Sequence, residues 1–182
     1  MQENTKVTTT SDLEKKTNYA VFYASINIII CVGFIYTLYL NDPKLLFEGW
    51  QAFTWLFFLI QMVAVGISSR KALGGFIEFN QLLKPLFKSF AFAYIFKYIF
   101  VYVLITVIDP TLLDLSKDFY LQLIIENKDP NWTDEMLQQQ IEAFNAQPLN
   151  VFDFMGLTIE LVMGFIMALI ISFVLKIEKP EY

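Results

Sequence analysis

Hydrophobic and polar positions along this chain fall into long blocks, not into the short alternations of a soluble fold. Four apolar blocks, about residues 18–40, 50–68, 89–108 and 152–175, each approach the ~20 residues that a helix needs to cross a hydrocarbon core of ~30 Å. They predict four membrane-spanning helices. Asn41-Asp42-Pro43 closes the first block, because a proline and the residue before it disfavour continued helix. Arg70-Lys71 closes the second and Asp109-Pro110 the third. Between Leu73 and Lys88, the polar or helix-breaking residues Gly74, Gly75, Glu78, Asn80, Gln81, Lys84 and Pro85 are mixed with Phe76, Ile77, Phe79, Leu82, Leu83 and Phe87. That stretch is too polar to cross a membrane. Residues 73–88 are therefore expected as an interfacial or partly submerged helix leading into span three, with Pro85 near a helix start or a kink.

The longest polar segment follows span three and carries eight acids, Asp109, Asp114, Asp118, Glu126, Asp129, Asp134, Glu135 and Glu142, against Lys117 and Lys128. Leu112, Leu115, Phe119 and Leu123 recur at helical spacing and predict a helix over Thr111–Glu126. Thr133 is placed to cap a second helix, Asp134–Ala146, whose first-turn acids suit its dipole. Residues 111–147 thus read as an acidic helical hairpin. The expected fold is all-α: a polytopic membrane protein, a four-transmembrane-helix bundle with this hairpin between helices 3 and 4. The N-terminal tail, residues 1–17, lacks the apolar core and cleavage site of a signal peptide and is expected to be retained and mostly mobile. A short tail, residues 177–182, ends the chain.

Composition narrows the chemistry. The chain is 56% hydrophobic and 17% charged, against roughly 45–50% and 25% in soluble domains, which excludes a disordered or fibrous protein. It has no histidine, and its one cysteine, Cys31, lies inside the first apolar block. Cys/His zinc sites, Ser-His-Asp triads, Cys-His nucleophiles and intramolecular disulfides are excluded. No nucleophile and base can be paired, so the chain reads as a non-enzyme with no cofactor, no metal and no nucleic-acid partner. Asp114 and Asp118 stand at i, i+4 and read as a solvated acidic face; Gly74-Gly75 is a chain break, since no phosphate-loop Lys-Ser/Thr follows it.

Orientation follows from basic residues near the spans, which concentrate in the cytoplasm. The N-terminal tail, the Arg70–Lys88 connection and the C-terminal tail together hold nine Lys or Arg; the other two loops hold three, Lys44, Lys117 and Lys128. Both termini are therefore expected in the cytoplasm and the hairpin outside.

From about Gly74 to its end the chain resembles a bacterial family of uncharacterised four-span membrane proteins, domain of unknown function 4199. The resemblance rests on Gly-Gly-Phe-Ile (74–77) before span three, Ile-Asp-Pro (108–110) after it, the segment Trp-Thr-Asp-Glu-Met (132–136) in the hairpin, and Met163-Gly164 in the last span. It implies a bacterial inner-membrane location and supplies no activity.

Ionisable and polar side chains inside a span are costly and mark candidate sites. If span three enters the membrane at Ser89, Lys97 lies ~12 Å deep; Asn27 and Gln61 come to ~13 and ~10 Å on the same arithmetic. The three are expected at one level, where Lys97 either snorkels to the interface, joins Asn27 and Gln61 in a buried cluster, or handles ions or protons. Glu160 lies ~22 Å from the cytoplasmic end of span four, too far toward the other face for a direct pair with Lys97 to be favoured. It shares an i+4 stripe with Gly156, Gly164, Ala168 and Ser172, and small residues at that spacing mark close helix contact. A membrane enzyme acting on lipid through the acidic hairpin is disfavoured, because no nucleophile and base pair can be identified, and two other functions remain open. One is a non-enzymatic membrane subunit or scaffold, embedded in the lipid bilayer, whose residues 111–147 meet a membrane or periplasmic protein; the other is a small homo-oligomeric transporter or ion-coupled channel using Lys97, Glu160, Asn27 and Gln61.

Overall fold

A computed structural model describes residues 10–146 and 154–177. The lead into the fourth span, expected from about residue 152, falls partly outside the described residues, as do residues 1–9 and 178–182. Among the described residues six α-helices form in the order α1 (Thr10–Asn41), α2 (Phe53–Ala72), α3 (Phe79–Val103), α4 (Thr111–Glu126), α5 (Asp134–Ala146) and α6 (Phe154–Leu175). The stretches Asn18–Asn41, Phe53–Ala72, Phe79–Ile108 and Phe154–Leu175 are long and apolar enough to cross a membrane. The molecule is an all-α polytopic bundle.

Two boundaries differ from the sequence reading. The backbone of α1 is already helical at Thr10, where a mobile tail was expected; no glycine or proline interrupts Thr10–Thr17. Likewise α3 begins at Phe79, ten residues before Ser89, and carries Pro85 inside it. Its first turns are amphipathic: Leu82, Pro85, Leu86 and Ser89 are buried, whereas Asn80, Lys84 and Lys88 are exposed. The polar residues of the stretch expected to lead into span three form the outer face of one continuous helix with it. Proline is tolerated within membrane helices because neighbouring groups re-satisfy the freed backbone.

The reversal between α2 and α3 is made by Gly74 and Gly75, at φ +75° and +94°, a region that favours glycine. Their amides donate to Lys71 O (3.1 Å) and Arg70 O (3.0 Å). Ile77 then pairs antiparallel with Ile177: each amide donates to the other's carbonyl, at 2.9 and 3.1 Å. This bridge ties the α2–α3 turn to the end of α6, and we call this the turn end of the bundle.

α2 and α3 pack on each other; α1 lies against both, and α6 packs on α3 and on α2. Phe58, Met62 and Val65 of α2 interlock with Leu82, Leu86 and Phe90 of α3, all fully buried. Gly164, on α6, admits the ring of Phe90, and Ala168, Ile171 and Ser172 continue the buried stripe. Lipid tails are as apolar as leucine, so close contact of this kind holds membrane helices together. Ile29, Leu40, Ile60, Phe173 and Val174 point outward, as lipid contact requires.

At the opposite end, which we call the hairpin end, α3 runs through a π-helical turn, Leu104–Ile108. A second core joins Ile35 and Leu38 of α1, Leu46 of the 3-10 turn Pro43–Leu46, Leu104, and Leu112 of α4. Phe119 meets Phe47 with ring centroids 6.3 Å apart, so Leu112, Leu115 and Phe119 of the predicted apolar face sit on the α1–α2 connection. Thr133 caps α5 by accepting from Met136 N at 3.3 Å. None of the α5 residues is buried.

Candidate functional site

Lys97 is 8% exposed. Its Nζ donates to Thr54 Oγ1 at 3.1 Å and lies 5.3 Å from the centre of the Tyr94 ring. This changes the depth arithmetic. Counted from Phe79, Lys97 stands ~27 Å along its helix, and Thr54, the second residue of the antiparallel α2, stands ~27 Å from Ala72. Both belong to the hairpin end. Lysine therefore does not reach toward the turn end, and its partner is Thr54, not Asn27 or Gln61.

Asn27 and Gln61 pair with each other, Asn27 Nδ2 donating to Gln61 Oε1 at 2.5 Å, and Cys31 Sγ sits 3.6 Å from Asn27 Oδ1. Gln61 is seven residues from Thr54, so this pair lies ~10 Å nearer the turn end than the ammonium. The expected single level is two. Cys31 and Glu160 lie within Coulombic reach of Lys97, although no ion pair joins Lys97 to Glu160. Glu160 Oε2 and Gln61 Nε2 are buried without a hydrogen-bond partner, a condition that costs ~1–3 kcal/mol for a neutral group in a protein interior. Asn27, Cys31, Gln61, Thr54, Tyr94, Lys97 and Glu160 thus form an interrupted polar file shared by α1, α2, α3 and α6.

Of the small-residue stripe, Gly164, Ala168 and Ser172 are buried, while Gly156 is partly buried at the start of α6. Ser172 Oγ donates to Ala168 O at 2.6 Å, satisfying its hydroxyl within the helix. Sequence reasoning missed Thr54, whose one signal was a hydroxyl in the first turn of an apolar block. Tyr94 also packs, stacked on Phe90 with ring centroids 5.5 Å apart.

The hairpin presents a different surface. Tyr120, Leu123, Ile124, Trp132 and Phe144, with Asn127 and Gln140, line an open groove of about 350 Å³ between α4 and α5. Lys128 Nζ bonds Asp134 Oδ1 at 2.7 Å beside it, and that hydrogen bond holds the Asp134 carboxyl below its ordinary range. At the base of the hairpin Asp109 accepts from Thr111 Oγ1 (2.5 Å), Thr111 N (3.2 Å) and Tyr39 OH (3.1 Å). The hydrogen bond from the Thr111 hydroxyl outweighs the opposing desolvation and, with further help from Tyr39 OH and Thr111 N, lowers the Asp109 pKa. Asp114 and Asp118 are both exposed, and among the described residues no three His, Cys, Asp or Glu stand close enough to hold a metal ion.

The family model described as "Protein of unknown function (DUF4199)" matches residues 18–176, which covers all four spans and the hairpin. No curated protein and no solved structure matches the chain.

Proposed function

Because this chain belongs to the DUF4199 family, whose function is not known, we propose its role from geometry: a non-enzymatic membrane subunit that engages a protein partner through the α4–α5 hairpin. In this reading it resides in a bacterial inner membrane with both termini cytoplasmic. The observation that carries the reading is the hairpin groove. Aromatic and aliphatic side chains line an open concavity on a helix pair that is otherwise acidic and whose second helix buries nothing. Apolar pockets with a polar rim are where interface anchors seat. Eight acids stand against two lysines in this segment, and Lys128 is engaged by Asp134. The complementary partner is a segment with an apolar anchor flanked by basic residues.

A photo-crosslinking side chain at Gln140, inside the groove, tests this in living cells. It is expected to give a discrete adduct that Phe144→Asp abolishes while the chain stays in the membrane; the same probe at Asp118, outside the groove, should not give it. Equal adducts from both positions would sink the reading, and an adduct of twice the chain's mass would replace the partner with a second copy.

A second reading is favoured by the unpartnered Glu160 Oε2 and Gln61 Nε2 within the spans: a small oligomeric transporter or ion-coupled channel. Glu160→Gln preserves shape and removes the ionisable proton. In proteoliposomes the subunit reading expects no pH-dependent flux to lose. Loss of such a flux in an assembled Glu160→Gln protein would promote the transporter.

A further inference from the structure

The turn end carries a groove that the polar file and the hairpin do not use. Phe79, at the start of α3, and Leu169, Ile170, Phe173 and Val174, at the end of α6, line a depression of about 370 Å³. Its walls face away from the bundle: Ile170, Phe173 and Val174 are 59, 67 and 72% exposed. In a membrane such a surface meets acyl chains, so its occupant is a bilayer molecule.

Charge selects among those molecules. Around the ends of α2, α3 and α6 that converge here, the sequence holds Arg70, Lys71, Lys84, Lys88, Lys176 and Lys179 against Glu78, Glu178 and Glu181, a basic excess. Lys176 stands at the groove itself, its Nζ lying 5.0 Å from the centre of the Phe173 ring that forms the wall. The Ile77–Ile177 bridge holds the α2–α3 turn against the residue after Lys176, at the same end of the bundle as the groove. The first turn of α3, a 25-residue helix, opens at Phe79 and adds the positive end of its dipole to the same mouth. Basic pockets between membrane helices recognise acidic head groups on these terms.

We propose that this groove binds one anionic phospholipid, an acyl chain lying along Phe79, Leu169, Ile170 and Phe173 and the head-group phosphate at Lys176. The proposal is independent of the role assigned to the hairpin. The chain purified in detergent, with phosphatidylglycerol or phosphatidylcholine of matched acyl chains added, tests it by native mass spectrometry. The wild type is expected to retain phosphatidylglycerol in preference. Lys176→Gln should cut that preference about fivefold, the weight of one basic residue near a membrane surface. Lys176→Arg should keep it. Ile170→Trp, at an exposed position that leaves the bundle core intact, should fill the groove and lower retention of both lipids, whereas Ile29→Trp on the outer face of α1 should change nothing. Equal retention of the two lipids, unaltered binding in Ile170→Trp, or a dimer that Ile170→Trp dissociates would overturn the proposal.

Discussion

Single residues decide how closely these helices approach. A Cβ added at Gly164 would overlap the ring of Phe90, itself fully buried between Trp55, Phe58 and Tyr94, so neither ring nor helix has room to yield. Gly33, by contrast, has nothing within 4 Å of its added Cβ. Gly164→Ala should destabilise the bundle by ~1–3 kcal/mol, the usual cost of forcing a methyl into a packed core. Gly33→Ala should stabilise its helix by up to ~1 kcal/mol through reduced backbone freedom. Denaturation of the two variants in the same detergent checks both signs, and equal behaviour would mean that Gly164 is not a contact residue. The stripe containing Gly164 was legible in the sequence because small residues repeat there every four positions. Thr54 was not legible as the partner of Lys97, because it lies on another helix and its hydroxyl is silent in any pattern along the chain.

At the scale of elements, periodicity and punctuation placed α4 and α5 well: Leu112, Leu115 and Phe119 pack toward the α1–α2 connection, Leu123 lines the groove, and Thr133 caps. The helix expected to lead into span three is continuous with it from Phe79, for a physical reason. Lys84, Pro85 and Lys88 look like interruptions in a hydropathy window, yet Pro85 is buried and the lysines sit on the free face of a continuous helix. Counted along the helix from Phe79, Lys97 stands ~27 Å from its start, against ~12 Å from Ser89. Where α3 ends, Asp109 joins three elements, accepting from Tyr39 of α1 and from Thr111 at the start of α4. Its pKa is lowered in the folded protein, so the carboxylate contributes stability that is fully present above the unfolded value of ~3.9. The contribution is lost as pH falls through the depressed folded value. Acidification below about pH 4 should therefore speed amide exchange at the junction of α1, α3 and α4, and the Asp109→Asn protein should exchange faster already at neutral pH and lose that dependence. A junction whose exchange follows the same acid profile with and without Asp109 would remove this clasp from the account.

For the whole molecule, the structure sorts the described connections into two ends. The α1–α2 connection and the hairpin pack together at one, and the α2–α3 turn and the end of α6 are bridged at the other. Lys44, Lys117 and Lys128 belong to the first end, whereas Arg70, Lys71, Lys84, Lys88 and Lys176 belong to the second. This asymmetry is carried by short connections next to spans, the context in which basic residues hold the cytoplasmic side. The turn end should therefore be cytoplasmic, which would put the Lys97, Thr54 and Glu160 level in the outer half of the bilayer and the lipid groove in the inner leaflet. A cysteine introduced at the exposed Asn131, in a chain whose buried Cys31 is replaced by serine, should react with a membrane-impermeant maleimide added to intact cells. A reporter fused after Tyr182 should be active in the cytoplasm. Labelling of Asn131→Cys only after the membrane is opened would invert the molecule, move the acidic hairpin to the cytoplasm and carry the intramembrane charges to the opposite leaflet.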